Sequence, residues 1–192
     1  HLGTARQEIQ RLDTILKQFL HAVRPTTPRR EPQDLNAILQ QTLKLLEPEI
    51  VSRGITVDLG LSENMLPARV DPDQFQQVFY NLLRNAYQAI SGDGGHIGIL
   101  TRSTGTEFLI SISDNGTGIP PEQMGSLFEP YRTTKSAGTG LGLLIVRRII
   151  REHGGEIEIQ SHPEQGTNIF IHLPHTAPSP RLLPSPTIDL QS

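Results

Sequence analysis

Apolar residues recur at alternating three- and four-residue steps through Ile9, Leu12, Leu16, Phe19 and Val23, the seam of a coiled coil or helical bundle. Pro25 ends this predicted helix, and Pro28 and Pro32 make residues 26–33 a hinge. A helix is then expected from Asp34 to Ser52, with strands near Ile55 to Leu61 and Ala68 to Val70. Asp71 as N-cap and Pro72 in the first turn open a further helix that runs to Ile90. Phe75, Val78, Phe79, Leu82, Leu83, Ala86 and Ile90 share its buried stripe. Period-two alternation gives strands near Ile97 to Arg102 and Phe108 to Ser113, and again near Glu156 to Ser161 and Asn168 to Leu173. Between these pairs lies a helix from about Gly140 to His153, with Leu144, Ile145 and Ile149 on one face. Helices interleaved with strands and a hairpin-rich second half predict an α/β chain with one mixed sheet covered on one face by helices.

Composition narrows the picture. Residues 34–174 form one expected domain with a substantial core, and residues 175–192, with Pro178, Pro180, Pro184 and Pro186 among serine and threonine, read as a disordered tail. A net charge of -3 gives no basic footprint for nucleic acid, so no nucleic-acid partner is expected. Absence of cysteine removes disulfides and thiolate metal sites, and fits a reducing, cytoplasmic compartment. Neither a signal peptide nor a run of about eighteen apolar residues occurs, so no membrane contact is expected from this segment; a region further upstream could supply an anchor.

Three polar features carry candidate chemistry. Gly138-Thr139-Gly140-Leu141-Gly142-Leu143 opens into an apolar helix, and glycines there let backbone amides and the helix start approach a phosphate. It is neither a Walker loop nor a dinucleotide fingerprint, since GxxxxGK is missing and Leu143 stands where the third fingerprint glycine belongs. Asp114, at a strand end before Asn115-Gly116-Thr117-Gly118, suits an unpaired acceptor for an exocyclic amine, with Gly116 and Gly118 leaving room for a flat base; a plain turn is the alternative. Gln77, Asn81, Asn85 and Gln88 form an uncharged polar stripe beside a core face, where amide oxygens can reach a phosphate-bridging Mg2+ ion.

Taken together and in order, Asn81 to Ala86, Asp114 to Gly118, Leu127 to Lys135 and Gly138 to Leu143 resemble the N box, first glycine box, F box and second glycine box of sensor histidine kinases. The resemblance covers about residues 5 to 174, and the short lid with Thr133-Thr134-Lys135 most resembles the subgroup that includes nitrogen-regulation sensors. It implies the Bergerat two-layer α/β sandwich of the GHKL superfamily, preceded by one long bundle helix.

The resemblance also implies roles. Asn85 would ligate the magnesium on the ATP phosphates, and Asn81 would help order that site. Asp114 would read the adenine amino group, with Gly116, Gly118 and Ile119 lining the base site. Residues 120–137 would form the ATP lid, anchored by Phe128, with Thr133, Thr134 and Lys135 near phosphate oxygens. Gly138, Thr139, Gly140, Leu141, Gly142 and Leu143 would cradle the phosphates. Asn81, Asn85 and Lys135 would be the catalytic set for transfer of the γ-phosphoryl group to a histidine, then to the receiver-domain aspartate of a response regulator, in a homodimeric protein.

Several positions depart from the family pattern. Leu144 stands where a small serine is frequent, and Arg132 where an uncharged residue is. Residues 1–25, ending in Ala22-Val23-Arg24-Pro25, resemble the second helix of the dimerisation hairpin; the first helix, which carries the acceptor, does not precede it here. His1 lacks the acidic residue and proline that follow an acceptor, and His21 faces away from the seam. The chain is therefore expected to lack activity in cis. His96, His153, His162, His172 and His175 show no metal-ligand spacing and are expected at surface or strand positions. Two other readings stand beside the kinase: an ATPase of the same fold, which would need an acidic base where Asn81 stands, and a non-catalytic nucleotide-binding module.

Overall fold

The computed structural model describes residues 28–63, 65–129 and 141–175. Outside them lie the expected seam helix with His1 and His21, the tail beyond His175, and Arg132, Thr133, Thr134, Lys135, Gly138, Thr139 and Gly140. The order among the described residues is β1 (Glu31–Gln33), α1 (Leu35–Ser52), β2 (Thr56–Gly60), β3 (Ala68–Val70), α2 (Pro72–Ala89), β4 (His96–Ser103) and β5 (Glu107–Asp114). A short α3 (Pro121–Met124), α4 (Gly142–Glu152), β6 (Glu156–His162) and β7 (Gly166–Pro174) complete it.

Both long helices begin where an aspartate satisfies their first amides. Asp34 accepts from Asn36 N at 2.8 Å and Ala37 N at 3.2 Å, and Asp71 accepts from Gln74 N at 3.1 Å. All seven residues expected in the buried stripe of α2 are buried. The N-cap falls on Asp71 and the C-cap on Ile90, so the predicted bounds hold.

Five strands form one mixed sheet in the order β2-β4-β5-β7-β6, with β2 parallel to β4 and the other pairs antiparallel. Ile97 and Ile99, Phe108, Ile110 and Ile112, and Ile169, Ile171 and Leu173 are buried at alternate positions. The opposite face carries Leu100, half exposed. The helices therefore lie on one face: α2 packs between α1 and α4, and a core of Phe75, Phe79, Leu82, Leu83, Ile145 and Ile149 fills the space. Burying each such side chain contributes about 1.5–3 kcal/mol. This is the mixed sheet covered on one face by helices expected from the element order, and the two-layer α/β sandwich that the resemblance implies.

Two details differ from the sequence reading. β3 does not join the main sheet; it pairs antiparallel with β1, within the stretch read as a hinge. Pro32 sits opposite Arg69 in that pair, and a residue without an N–H is tolerated only on such an edge. His153 is neither on a strand nor at the surface: it is 2% exposed at the C-cap of α4. His96, His162 and His172 do lie on strands.

Candidate nucleotide site

Three strands bring their helix-facing rows to a polar end at one rim of the sheet. Asp114 ends β5 opposite Thr167 of β7, and Thr167 lies opposite Ser161 of β6. These three continue the alternation of Phe108, Ile110 and Ile112, of Leu173, Ile171 and Ile169, and of Ile157 and Ile159, so their side chains share the face that carries the helices. Ser161 Oγ donates to Gly166 O at 2.8 Å and accepts from Ile119 N at 2.9 Å. A serine has one hydroxyl proton, so the 2.9 Å bond between Ser161 Oγ and Thr167 Oγ1 is donated by the threonine. The Thr167 oxygen is left as an acceptor beside the carboxylate of Asp114, a pair suited to a ligand amine or a water.

Thr167, only 6% exposed, and Ser161 were missed by the motif reading. Extending the period-two pattern of β6 and β7 past its apolar residues reaches both, and two hydroxyls at that point are the signal.

Asp114 is not the unpaired carboxylate the sequence suggested. Its Oδ1 accepts from Gly116 N at 2.9 Å, closing a tight turn that fixes the carboxylate's direction. The glycines of that turn serve the turn's own packing. A Cβ on Gly116 would stand 2.6 Å from Ala89 O at the end of α2, where Thr117 N already donates at 3.0 Å. Gly118 has φ +67° and a Cβ there would stand 2.0 Å from His162 O. The Asp114 to Gly118 loop is thus clamped between α2 and the β6–β7 turn.

Along α2, Asn81 is 8% exposed, and Asn85, Gln77 and Gln88 are partly buried. A Cβ on Gly142 would stand 3.3 Å from Asn81 Oδ1, so the start of α4 sits directly against the first asparagine. No side chain caps α4 at Leu141, and its first turn holds no acidic residue. The first amides of that helix and the positive end of its dipole therefore suit an anion. Leu141 itself is buried and Leu143 and Leu144 pack partly against the core, so these side chains hold α4 in place.

Phe128 is partly buried, and the Arg147 guanidinium of α4 lies 4.5 Å from its ring centroid. The described part of the expected lid is fastened to α4 there. Among the described residues no group of three histidines, cysteines or carboxylates is placed to hold a metal. Should a magnesium ion bind beside α2, Asn81 and Asn85 would offer it amide oxygens, a donor type that suits an ion keeping most of its waters.

Residues 70–177 match the family model of histidine kinase-, DNA gyrase B- and HSP90-like ATPases. The sensor histidine kinase ZraS of Escherichia coli (strain K12) is 36% identical over 168 residues, covering 88% of this chain and 36% of that protein. The chain thus spans about a third of that relative's length. A nucleotide-free catalytic domain of the histidine kinase ThkA superposes with a TM-score of 0.70 at 32% identity, over 78% of this chain and 97% of that one. ThkA in complex with the response regulator protein TrrA gives a TM-score of 0.75 at 29% identity, over 90% of this chain and 49% of that one. With the GHKL fold, the ordered boxes and the uncapped α4 start against Asn81 already in hand, these matches make the chain a member of the histidine kinase-, DNA gyrase B- and HSP90-like ATPase family, in its sensor histidine kinase branch.

Proposed function

We propose that this chain binds Mg2+-ATP and supplies the catalytic half of a protein-histidine kinase. One observation carries the reading. α2 touches both ends of the site: Ala89 at its end holds the Asp114 to Gly118 loop, and Asn81 meets Gly142 at the start of α4. The eight-residue step from Asn81 to Ala89 spans about 12 Å of helix, the scale of a nucleotide from base to phosphates. Asn85 lies between them in sequence.

In this reading Asp114 and Thr167 accept from the adenine amine, directly or through water. The α4 amides receive the phosphates, and Asn81 steadies that helix start. Asn85 supplies an amide oxygen to the magnesium, which neutralises phosphate charge when bound. Thr133, Thr134, Lys135, Gly138, Thr139 and Gly140 belong to the same reading as phosphate-side residues. An imidazole nitrogen of an acceptor helix attacks the γ-phosphorus; the bond to the ADP oxygen breaks, ADP leaves, and the imidazole proton goes to base or solvent. The protein's contribution is placement and charge stabilisation.

The response regulator as onward acceptor is supported by the likeness to ThkA, whose complex with such a protein has been solved. Dimerisation through residues 1–25, a hinge within 26–33 that ends before β1 begins at Glu31, and the nitrogen-regulation-sensor subgroup are parts of the same proposal. An ATPase of this fold that activates water with a carboxylate is disfavoured by the amide at Asn81.

The test is incubation with γ-labelled ATP and magnesium, with and without a dimerisation fragment bearing an acceptor helix. Acid-labile label on the added fragment alone supports the kinase. Free phosphate released without the fragment, and no label transferred, overturns it in favour of an ATPase.

A further inference from the structure

The end of α4 remote from the glycine run carries a polar cluster for which the nucleotide reading has no use. The buried imidazole of His153 lies between α4 and α2: its Nδ1 is 2.8 Å from Ile149 O, and its Nε2 is 3.1 Å from the backbone N of Asp71. An N–H aimed at Nε2 requires a lone pair there, so the ring is neutral with its proton on Nδ1, donated to Ile149. Phe75 meets the ring edge-on with centroids 5.0 Å apart.

The chain entering the domain is fastened to this same place. Arg29 N donates to Asp71 Oδ2 at 2.8 Å, and β1 then pairs with β3 over three residues. Arg30 Nη2 donates to Glu152 O, at the negative end of α4. Arg148 Nε lies 3.7 Å from Glu152 Oε1. Three buried atoms of the joint, Arg30 Nε, Gln74 Oε1 and Glu152 Oε2, make no hydrogen bond among the described residues. Orphaned buried polar groups are destabilising, so this joint is held with less margin than a fully satisfied one.

The two helices cross-brace the domain. The start of α2 meets the end of α4 at Asp71 and His153, and the middle of α2 meets the start of α4 at Asn81 and Gly142. α4 has 11 residues, a rod of about 16 Å whose two ends move together. The entering chain meets this joint at Arg29, on Asp71 of the α2 cap, and at Arg30, whose bond to Glu152 O is made on α4 itself.

We infer that Arg30 is a positioning residue: by holding Glu152 it docks the entering strand on the α2–α4 joint, and so sets how the start of α4 meets Asn81 in the nucleotide site. The inference rests on the nucleotide reading above. Because coupling between two sites is reciprocal, nucleotide that orders the start of α4 must also tighten Arg30's hold on its end. A purely structural arginine would stabilise the fold without answering to nucleotide.

The experiment is amide hydrogen exchange of the 192-residue chain, with and without the magnesium complex of AMPPNP, alongside titration of the same complex. Exchange at the amides of Arg29, Arg30, Glu31, Gln33 and Asp71 is expected to slow by about fivefold or more on nucleotide addition. Arg30→Ala should abolish that slowing and weaken AMPPNP binding by a similar factor. Arg30→Lys should restore part of both, since an ammonium still donates to the Glu152 carbonyl. Nucleotide that binds the unaltered chain yet leaves exchange at 29–33 unchanged overturns the inference without needing any variant. So does Arg30→Ala binding as tightly as the unaltered chain. A chain that shows no titration at all overturns the nucleotide reading itself, and is told apart by the missing affinity.

Discussion

Asp114 and Thr167 stand opposite one another at the rim of the sheet, one a carboxylate fixed by Gly116 N, the other a hydroxyl whose proton is committed to Ser161. Both therefore present acceptors, which favours a base with an amine over one with a carbonyl at that position. Asp114→Asn should relax discrimination of ATP from GTP, measured as the ratio of their dissociation constants. An unchanged ratio would count against the base assignment. Thr167→Val removes the hydroxyl at similar size and should weaken adenosine binding by about 1 kcal/mol, while leaving binding of inorganic polyphosphate alone. Asn85→Ala should act on the other end: Mg2+-ATP binding falls by about 10- to 100-fold, matching about 1.5–3 kcal/mol for a contact to charge, with adenosine little affected. Equal losses for the two ligands would refute the role. Of these residues, the sequence singles out Asp114 and Asn85 because each sits in a motif of unusual residue types. Thr167 was not, because a threonine at the start of a strand is ordinary until its register opposite Asp114 is known.

The elements themselves were largely readable, since caps and periodicity are local. The Asp71-Pro72 start and the apolar stripe of α2 fixed that helix to within a residue of its N-terminal end. β1 escaped because a three-residue strand with a proline at its centre has no period to detect, and only its pairing with β3 makes it a strand. The short α3 lies in the same class, a single turn begun by Pro121. Asp71→Ala should cost about 0.5–2 kcal/mol by loss of the cap, read as a lower denaturation midpoint. Gly118→Ala should be worse. The backbone at φ +67° costs about 1–3 kcal/mol for a residue with a Cβ, before its 2.0 Å clash with His162 O is counted. A Gly118→Ala protein as stable as the original would show that the loop is not clamped as described.

For the whole molecule, the buried His153 makes stability depend on pH. Burial holds its pKa below the ordinary 6.5, so on acidification the unfolded chain takes up this proton before the folded one does. Stability is therefore expected to fall as pH drops below about 6.5, down to the depressed folded pKa, and to be unaffected by this group at higher pH. His153→Gln should flatten that part of the curve, measured by urea denaturation at about pH 7.5 and about pH 5.5. An unchanged difference between the two would contradict the buried neutral imidazole.

Taken alone, the sequence determined what is set by neighbours along the chain: the helices, most strands, the α/β class, and four ordered motifs sufficient to point to the family. Such features follow from capping, alternation and glycine tolerance, all of them local. Tertiary structure decided the rest. It turned the expected free carboxylate of Asp114 into one held by its own turn, and assigned Gly116 and Gly118 to clearance for α2 and the β6–β7 turn. It also set Thr167 and Ser161 in register with Asp114, and put His153, expected at a surface or strand position, at the joint between two helices. Each of those depends on which strand lies beside which and how two helices cross, and long-range pairing leaves no period in the sequence.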